Sequence, residues 1–294
     1  MTIMKTSFHP GLTCAPLHMV CLSALCIFLC SHSLPAQQRP LQTQDPAIIA
    51  PGDLSLEFGF DFLQDAHFPQ SGLTGDLTSV GVIGVNVGLG KTVEFQTQGT
   101  AQSFLSVKSQ VPAPIEPQLN VNGNATHDFG DLVLSTKILI LSEEHHLLSL
   151  GFRPSVQLPN ASSTKGLGMN STQFYGSFLL GRHVGKLNAF GNLGLGILSN
   201  PINAASQNDV LIYGLAALYA VHPKVNLASE VFGQWSLRSN PPLGTESRSQ
   251  FRFGLQVFAA GFRWDIAGIA GLTRMSPNSG ITIGITKEIH AFKL

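Results

Sequence analysis

Cysteine is absent beyond residue 30: the four in the chain are Cys14, Cys21, Cys26 and Cys30. A disulfide framework or a cysteine metal site is thereby excluded from nearly all of its length. Charge is scarce as well, with Asp, Glu, Lys and Arg at 12%, against about 25% in ordinary soluble domains. What charge there is balances, 17 basic against 17 acidic residues, so nothing in it attracts a nucleic acid. Long hydrophobic runs are missing too. Beyond residue 36 the longest, 210–221, totals about 12 residues and is broken by Gly214, short of the ~20 that a helix needs to cross a bilayer. If the chain spans a membrane there, it does so with strands closed into a barrel.

The first 36 residues have the pattern of an export signal. They carry one charged side chain, Lys5, then an apolar stretch over 17–29, then Ser31-His-Ser-Leu-Pro-Ala36 ahead of the polar Gln37-Gln-Arg39. Roughly 13 apolar residues are too few for a helical anchor, so cleavage is expected near Ala36. Leu25 and Leu29 precede Cys26 and Cys30, where lipidation would need a small residue. The reading divides the chain into a signal peptide (1–36), a periplasmic N-terminal segment (37–52) and a barrel (53–294), exported to the outer membrane of a Gram-negative-type bacterium.

What the chain has in abundance is alternation. Leu54, Leu56, Phe58, Phe60 and Phe62 fall on one phase, with Ser55, Glu57, Gly59 and Asp61 on the other. Leu148, Leu150, Phe152, Val156 and Leu158 repeat the pattern against Ser149, Gly151, Arg153, Ser155 and Gln157. Successive strand side chains point to opposite faces, so each such stretch has one apolar wall and one wet one. The test predicts strands near 53–63, 76–88, 92–105, 129–141, 146–158, 171–182, 187–198, 209–221, 225–237, 249–258, 263–272 and 280–290. The second and eighth alternate poorly. A bulge at Ile83-Gly84 restores the phase of the second; the eighth has no equally simple account.

The breaks alternate in length. Short ones, at 90–91, 142–145, 183–186, 222–224 and 259–262, are separated by long polar ones at 64–75, 106–128, 159–170, 199–208, 238–248 and 273–279. Short periplasmic turns and long extracellular loops are the signature of a bacterial outer-membrane barrel. A soluble β-sandwich would also alternate within strands, but it has no reason to alternate its loop lengths, and its outer face would carry more Lys, Glu and Thr. The fold expected is all-β: a single antiparallel transmembrane β-barrel of about 12 strands with both ends in the periplasm. Phe60, Phe62, Phe152, Phe174, Trp235, Phe251 and Trp264 lie on its apolar phase.

On the wet phase fall Glu57, Glu94, Asp131, Lys137, Arg153, Glu230, Arg252, Arg263 and Asp265, the candidate pore-lining residues. Five acids against four bases favour neither ion sign. Gln96, Gln98, Gln157, Gln173, Asn188, Asn192, Asn226, Gln234 and Gln256 fill out a wall suited to water or a neutral polar solute. The competing reading is that these charges pair across strands and close the lumen; inward glycines such as Gly151, Gly181, Gly194 and Gly254 weigh toward passage. No catalytic set is recognised: no GxSxG occurs, and the seven histidines beyond residue 36 sit nearly all in loops or turns, so neither a nucleophile nor a base is placed. Glu143-Glu-His-His146 reads as a solvated turn rather than a metal site, and no cofactor is expected.

Three segments resemble the outer-membrane barrel family of the MetA pathway of phenol degradation: Phe129-Gly-Asp-Leu-Val-Leu-Ser-Thr-Lys137, Leu150-Gly-Phe-Arg-Pro-Ser-Val-Gln-Leu-Pro159 and Leu187-Asn-Ala-Phe-Gly-Asn-Leu-Gly194. The resemblance implies transport of aromatic or other hydrophobic compounds across the outer membrane, and it carries over no individual residue role. Expected partners are outer-membrane lipids, a small-molecule solute and the barrel-assembly machinery, for which Leu294 stands where such barrels usually end in an aromatic. The function expected is a passive channel. The alternatives are a structural or adhesive barrel, with the 106–128 loop and its Pro112, Pro114 and Pro117 as contact surface, and, less favoured, a barrel hydrolase.

Overall fold

The computed structural model describes residues 39–121, 123–200, 203 and 206–293; the expected signal peptide, with all four cysteines, lies outside the described residues. The strands are β1 (Asp53–Phe68), β2 (Leu73–Gly88), β3 (Val93–Gln110), β4 (Ala125–Asp128), β5 (Leu132–Leu141), β6 (Ser149–Leu158), β7 (Gln173–Val184), β8 (Leu187–Ser199), β9 (Gln207–His222), β10 (Val225–Ser236), β11 (Arg248–Ala259), β12 (Phe262–Gly271) and β13 (Ser279–His290). Apart from β4 and β5, which do not pair with each other, each pairs antiparallel with its sequence neighbours. β13 returns to β1, with His290 opposite Asp53 and Ser279 opposite Gln64, and closes the sheet. β4 pairs only with the outer part of β3, where Ala125 meets Ser106, while β5 takes the inner part, where Ile138 meets Val93. They share one place in the wall, broken at residues 129–131, so the thirteen strands make a twelve-membered barrel.

The register sorts the two phases as the alternation requires. Phe58 stands opposite Ile285 and Ile83 on the outside, and Glu57 opposite Thr286 and Gly84 on the inside. Phe58, Phe174, Trp235 and Trp264 are each about half exposed on the exterior, whereas Glu57, Glu94, Glu230 and Lys137 are at most 5% exposed. This inverts the usual layering of a soluble domain. Apolar side chains face outward and charged ones inward, as lipid on the outside demands.

The strand ends at which the chain enters and leaves the sheet share one rim with the connections 89–92, 142–148, 185–186, 223–224 and 260–261. The opposite rim carries 111–131, 159–172, 200–206, 237–247 and 272–278. The first outer connection departs from expectation: the predicted 64–75 loop is mostly strand, and only 69–72 turns. Where β1, β2 and β3 extend beyond their neighbours, Lys108 on β3 bridges Asp65 and Asp76 at 2.8 and 2.6 Å. Leu73 and Leu105, each 1% exposed, are covered in the same protruding region.

Both irregular strands now have causes. The bulge in β2 falls at Gly81, not at Ile83-Gly84: Gly59 pairs with Val82 and Phe60 with Val80, and Gly81 takes a φ of 67°. That left-handed conformation is open to glycine at no cost, which is why the extra residue settles there. In β9 the inner face is itself apolar because something apolar lies against it. Ala216 and Leu218 are buried with Phe190, Ala228 and Leu41, and Leu41 precedes the sheet altogether.

A side chain at the bulge is strained by the positive φ, and its β-carbon would sit 2.9 Å from that of Ala101. Gly81→Val is expected to destabilise the barrel by about 1–2 kcal/mol, read as a lower urea midpoint for loss of its heat-modifiable compact form. An unchanged midpoint contradicts the bulge assignment.

Candidate functional site

The residues between the expected cleavage point and β1 are polar, non-periodic and punctuated by Pro40, Pro46 and Pro51. Proline removes ladder donors and keeps such a segment out of a sheet, so its backbone must find partners elsewhere. It finds them inside the barrel. Residues 39–49 form a strap across the lumen, held by side chains of the inner wall.

The bonds follow one another along the strap. The Arg39 guanidinium donates to Asp61 Oδ1 at 3.1 Å and to Thr282 Oγ1 at 2.5 Å, and lies 3.5 Å from Asp265. Its carbonyl accepts from Gln256, and the Pro40 carbonyl accepts from Arg252 at 2.9 Å. Glu230 is the centre of the attachment: it accepts the Gln42 and Thr43 amides at 2.9 Å and stands 3.8 Å from Arg252. Asn192 receives the Gln44 amide and donates back to the Gln44 carbonyl, both at 2.7 Å. Asn188 donates to Asp45, Lys137 donates to the Asp45 carbonyl, and Glu94 accepts the Ile49 amide.

All nine charged residues expected on the wet wall are placed on the inside, eight from strands and Asp131 from the break before β5. Most of them turn to one another or to the strap. Lys137 and Glu94 are opposite in register and 3.4 Å apart. Arg263 donates to Thr286, Glu57 accepts from Asn86, and Asp131 accepts from Gln157 and from the Ala161 amide. Such pairing is required where a lone charge would be costly to bury. Several inward glycines serve the strap rather than an open path. Side chains at Gly59 or Gly284 would collide with Arg39, and β-carbons at Gly151 and Gly181 would lie 3.3 and 2.8 Å from Pro46.

The strap leaves room. On the side of the long loops lies a cavity of about 410 Å³ whose floor is Gln42, Thr43 and Gln44 and whose walls include Arg153, Gln157, Tyr175, Gln234 and Arg248. A smaller one, about 200 Å³, lies between the strap and the wall of β2, β3 and the start of β5. Gln42, Gln98 and Val133 border both. The outer loops meet one another, Gln70 donating to the Leu243 carbonyl and Ser71 to that of Gly166. The sequence reading missed Arg39, Leu41, Gln42, Thr43, Gln44 and Asp45. The signals that could have pointed to them are the apolar inner phase of β9 and the inward glycines, since both imply a body inside the barrel. Among the described residues, no three or more His, Asp or Glu side chains converge as metal ligands would.

A closed antiparallel sheet with an apolar exterior, a polar occupied interior, and short and long connections segregated to opposite rims defines an outer-membrane β-barrel. Within that class the chain belongs to the family described as "Putative MetA-pathway of phenol degradation", whose model matches residues 37–280. A comparison with curated proteins gives no match. Among solved structures it is similar to an outer membrane channel from Pseudomonas putida F1, at 15% identity and a TM-score of 0.59 over 85% of this chain and 100% of the other. It is less similar to the NanC porin (11% identity, TM-score 0.47, 82% of this chain and 100% of the other). A third similarity is to the TodX monoaromatic hydrocarbon channel (11%, 0.37, 85% and 93%). At these identities the likeness is one of fold.

Glu230→Ala removes the acceptor of two strap amides and leaves Arg252 buried without its carboxylate, a one-sided loss that costs about 3–5 kcal/mol. A chain starting at residue 37 has no cysteine of its own, so Thr43→Cys reports on the strap alone. In the Glu230→Ala background that thiol is expected to react at least about tenfold faster, since about 1.4 kcal/mol of lost strap stability, a fraction of that cost, already gives the factor. Equal rates contradict the clamp.

Proposed function

We propose that the protein is an outer-membrane channel through which small solutes, apolar or aromatic ones among them, pass passively, and that the strap sets the bore. One observation carries the reading: the strap narrows the lumen without filling it, leaving a cavity of about 410 Å³ above it. It is attached by hydrogen bonds and ion pairs and by the packing of Leu41 on β9, none of them covalent and all able to open and re-form. A barrel meant only as a scaffold has no use for such a space beneath its loops. The neutral Gln and Asn groups of the wall suit uncharged polar solutes, while Tyr175, Leu179, Ile212 and Phe232 at the same cavity offer apolar surface. The family description, with its reference to phenol, supports an aromatic cargo, and the reading extends to this chain the channel role printed for the Pseudomonas putida protein. Export through a cleaved signal near Ala36 and insertion by the barrel-assembly machinery belong to the same proposal.

The test is conductance in a planar bilayer. The intact protein is expected to pass small currents, and deletion of residues 39–49 to raise single-channel conductance several-fold. No current from either protein, together with unchanged solute uptake in a deletion strain, overturns the channel and leaves the structural or adhesive barrel.

A further inference from the structure

Beneath and within the strap the inner cations are answered by protein groups: Lys137 by Glu94, Arg252 by Glu230, and Arg39 by Asp61 and Asp265. The large cavity differs. Two arginines reach its wall from β6 and β11, strands five places apart around the ring. Arg153 donates from Nε to Gln96 at 2.7 Å and, among the described residues, forms no ion pair within 4 Å, Glu94 being paired with Lys137. Arg248 likewise has no ion pair within 4 Å among the described residues, and its Nε, like those of Arg39 and Arg252, is buried without a hydrogen-bond partner. The acids nearest in influence are engaged elsewhere: Glu94 with Lys137, Gln96 and the Ile49 amide, and Glu246 with the Gly244 amide at 2.8 Å. Among the described residues, no Asp or Glu lines this cavity. Ser155 Oγ, a hydroxyl able to donate, is a further wall atom buried without a partner.

A pocket with two guanidinium groups, an unpaired hydroxyl and no carboxylate in its wall is built for an acceptor-rich anion. The remaining surface narrows the class. Tyr175, whose hydroxyl is spent on Gln157 at 3.1 Å, and Phe232 turn ring surface to the same space, which a small inorganic anion would leave uncovered. The volume lies in the ordinary range for small-molecule sites, roughly 300–1,000 Å³. We propose that this cavity is a binding station for small aromatic carboxylates, with Arg153 and Arg248 facing the carboxylate and Tyr175 and Phe232 flanking the ring. The proposal deepens the channel reading and rests on it for its role, the bound acid being cargo held above the strap.

Binding is measured at equilibrium with the purified full barrel in detergent micelles, using benzoate as probe, benzamide as its uncharged counterpart and acetate as a carboxylate without a ring. Benzoate is expected to bind saturably, with benzamide and acetate on the order of tenfold weaker. Arg153→Gln and Arg248→Gln are each expected to weaken benzoate by a similar factor, about tenfold being the loss of one modest charge-assisted contact. Benzamide or acetate equal to benzoate, or benzoate unaffected by both variants, overturns the proposal. Should a variant fail to fold, as judged by heat-modifiable mobility, the unaltered protein decides: benzoate affinity must fall as salt rises, and salt-independent binding overturns the site. Because binding requires no current, conductance without benzoate binding removes the station and leaves the channel. Benzoate binding without conductance does the reverse.

Discussion

The interior is organised by the need to keep Glu230 from standing alone. It lies on the inside of a wall whose outside faces lipid, at 2% exposure, and a carboxylate there requires both a counter-charge and donors. Arg252 supplies the first from the facing position on β11. The amides of Gln42 and Thr43 supply the second. The same arginine then donates to the Pro40 carbonyl and lies 5.0 Å from the ring centre of Phe232. The buried pair thus anchors the strap at Pro40, Gln42 and Thr43, the strap covers the apolar inner face of β9 through Leu41, and the glycines opposite Arg39, Thr43 and Pro46 become room for its side chains.

The outer wall follows a different constraint. Lipid offers no hydrogen bonds, so every backbone group in the span must be paired within the sheet, and closure of β13 on β1 achieves it. That requirement is periodic, and period two is what a sequence displays most openly. Leu54 to Phe62 and Leu148 to Leu158 therefore revealed both the strands and their inward charges. The inward placement of Glu57, Glu94 and Lys137 was legible for the same reason.

The strap was illegible because nothing in it repeats. Residues 39–49 satisfy their backbone through the wall's side chains, and such partners leave no pattern in the segment that uses them. Gly151 and Gly181 read as free space from the wall alone, yet Pro46 stands beside both. The bulge was misplaced by two residues on similar grounds: the phase change in β2 required one extra residue, and only the backbone conformation of Gly81 shows where it is absorbed. The first outer loop was read as coil because residues 64–75 are polar and punctuated by Pro69; the bridge from Lys108 to Asp65 and Asp76 is a tertiary fact.

The central claim is that the strap's seat inside the barrel limits passage. A β-carbon at Gly214 would stand 3.2 Å from that of Thr43, a few tenths of an ångström short of the ~3.5–4.5 Å that a disulfide spans, so a small outward shift of the strap seats the bond. The most direct measurement is single-channel conductance of the Thr43→Cys, Gly214→Cys protein, oxidised and then reduced on the same bilayer. The account predicts that the two cysteines join without added linker and that conductance is low while they are joined and rises on reduction. A bond that forms but leaves the current unchanged, before and after reduction, would contradict it.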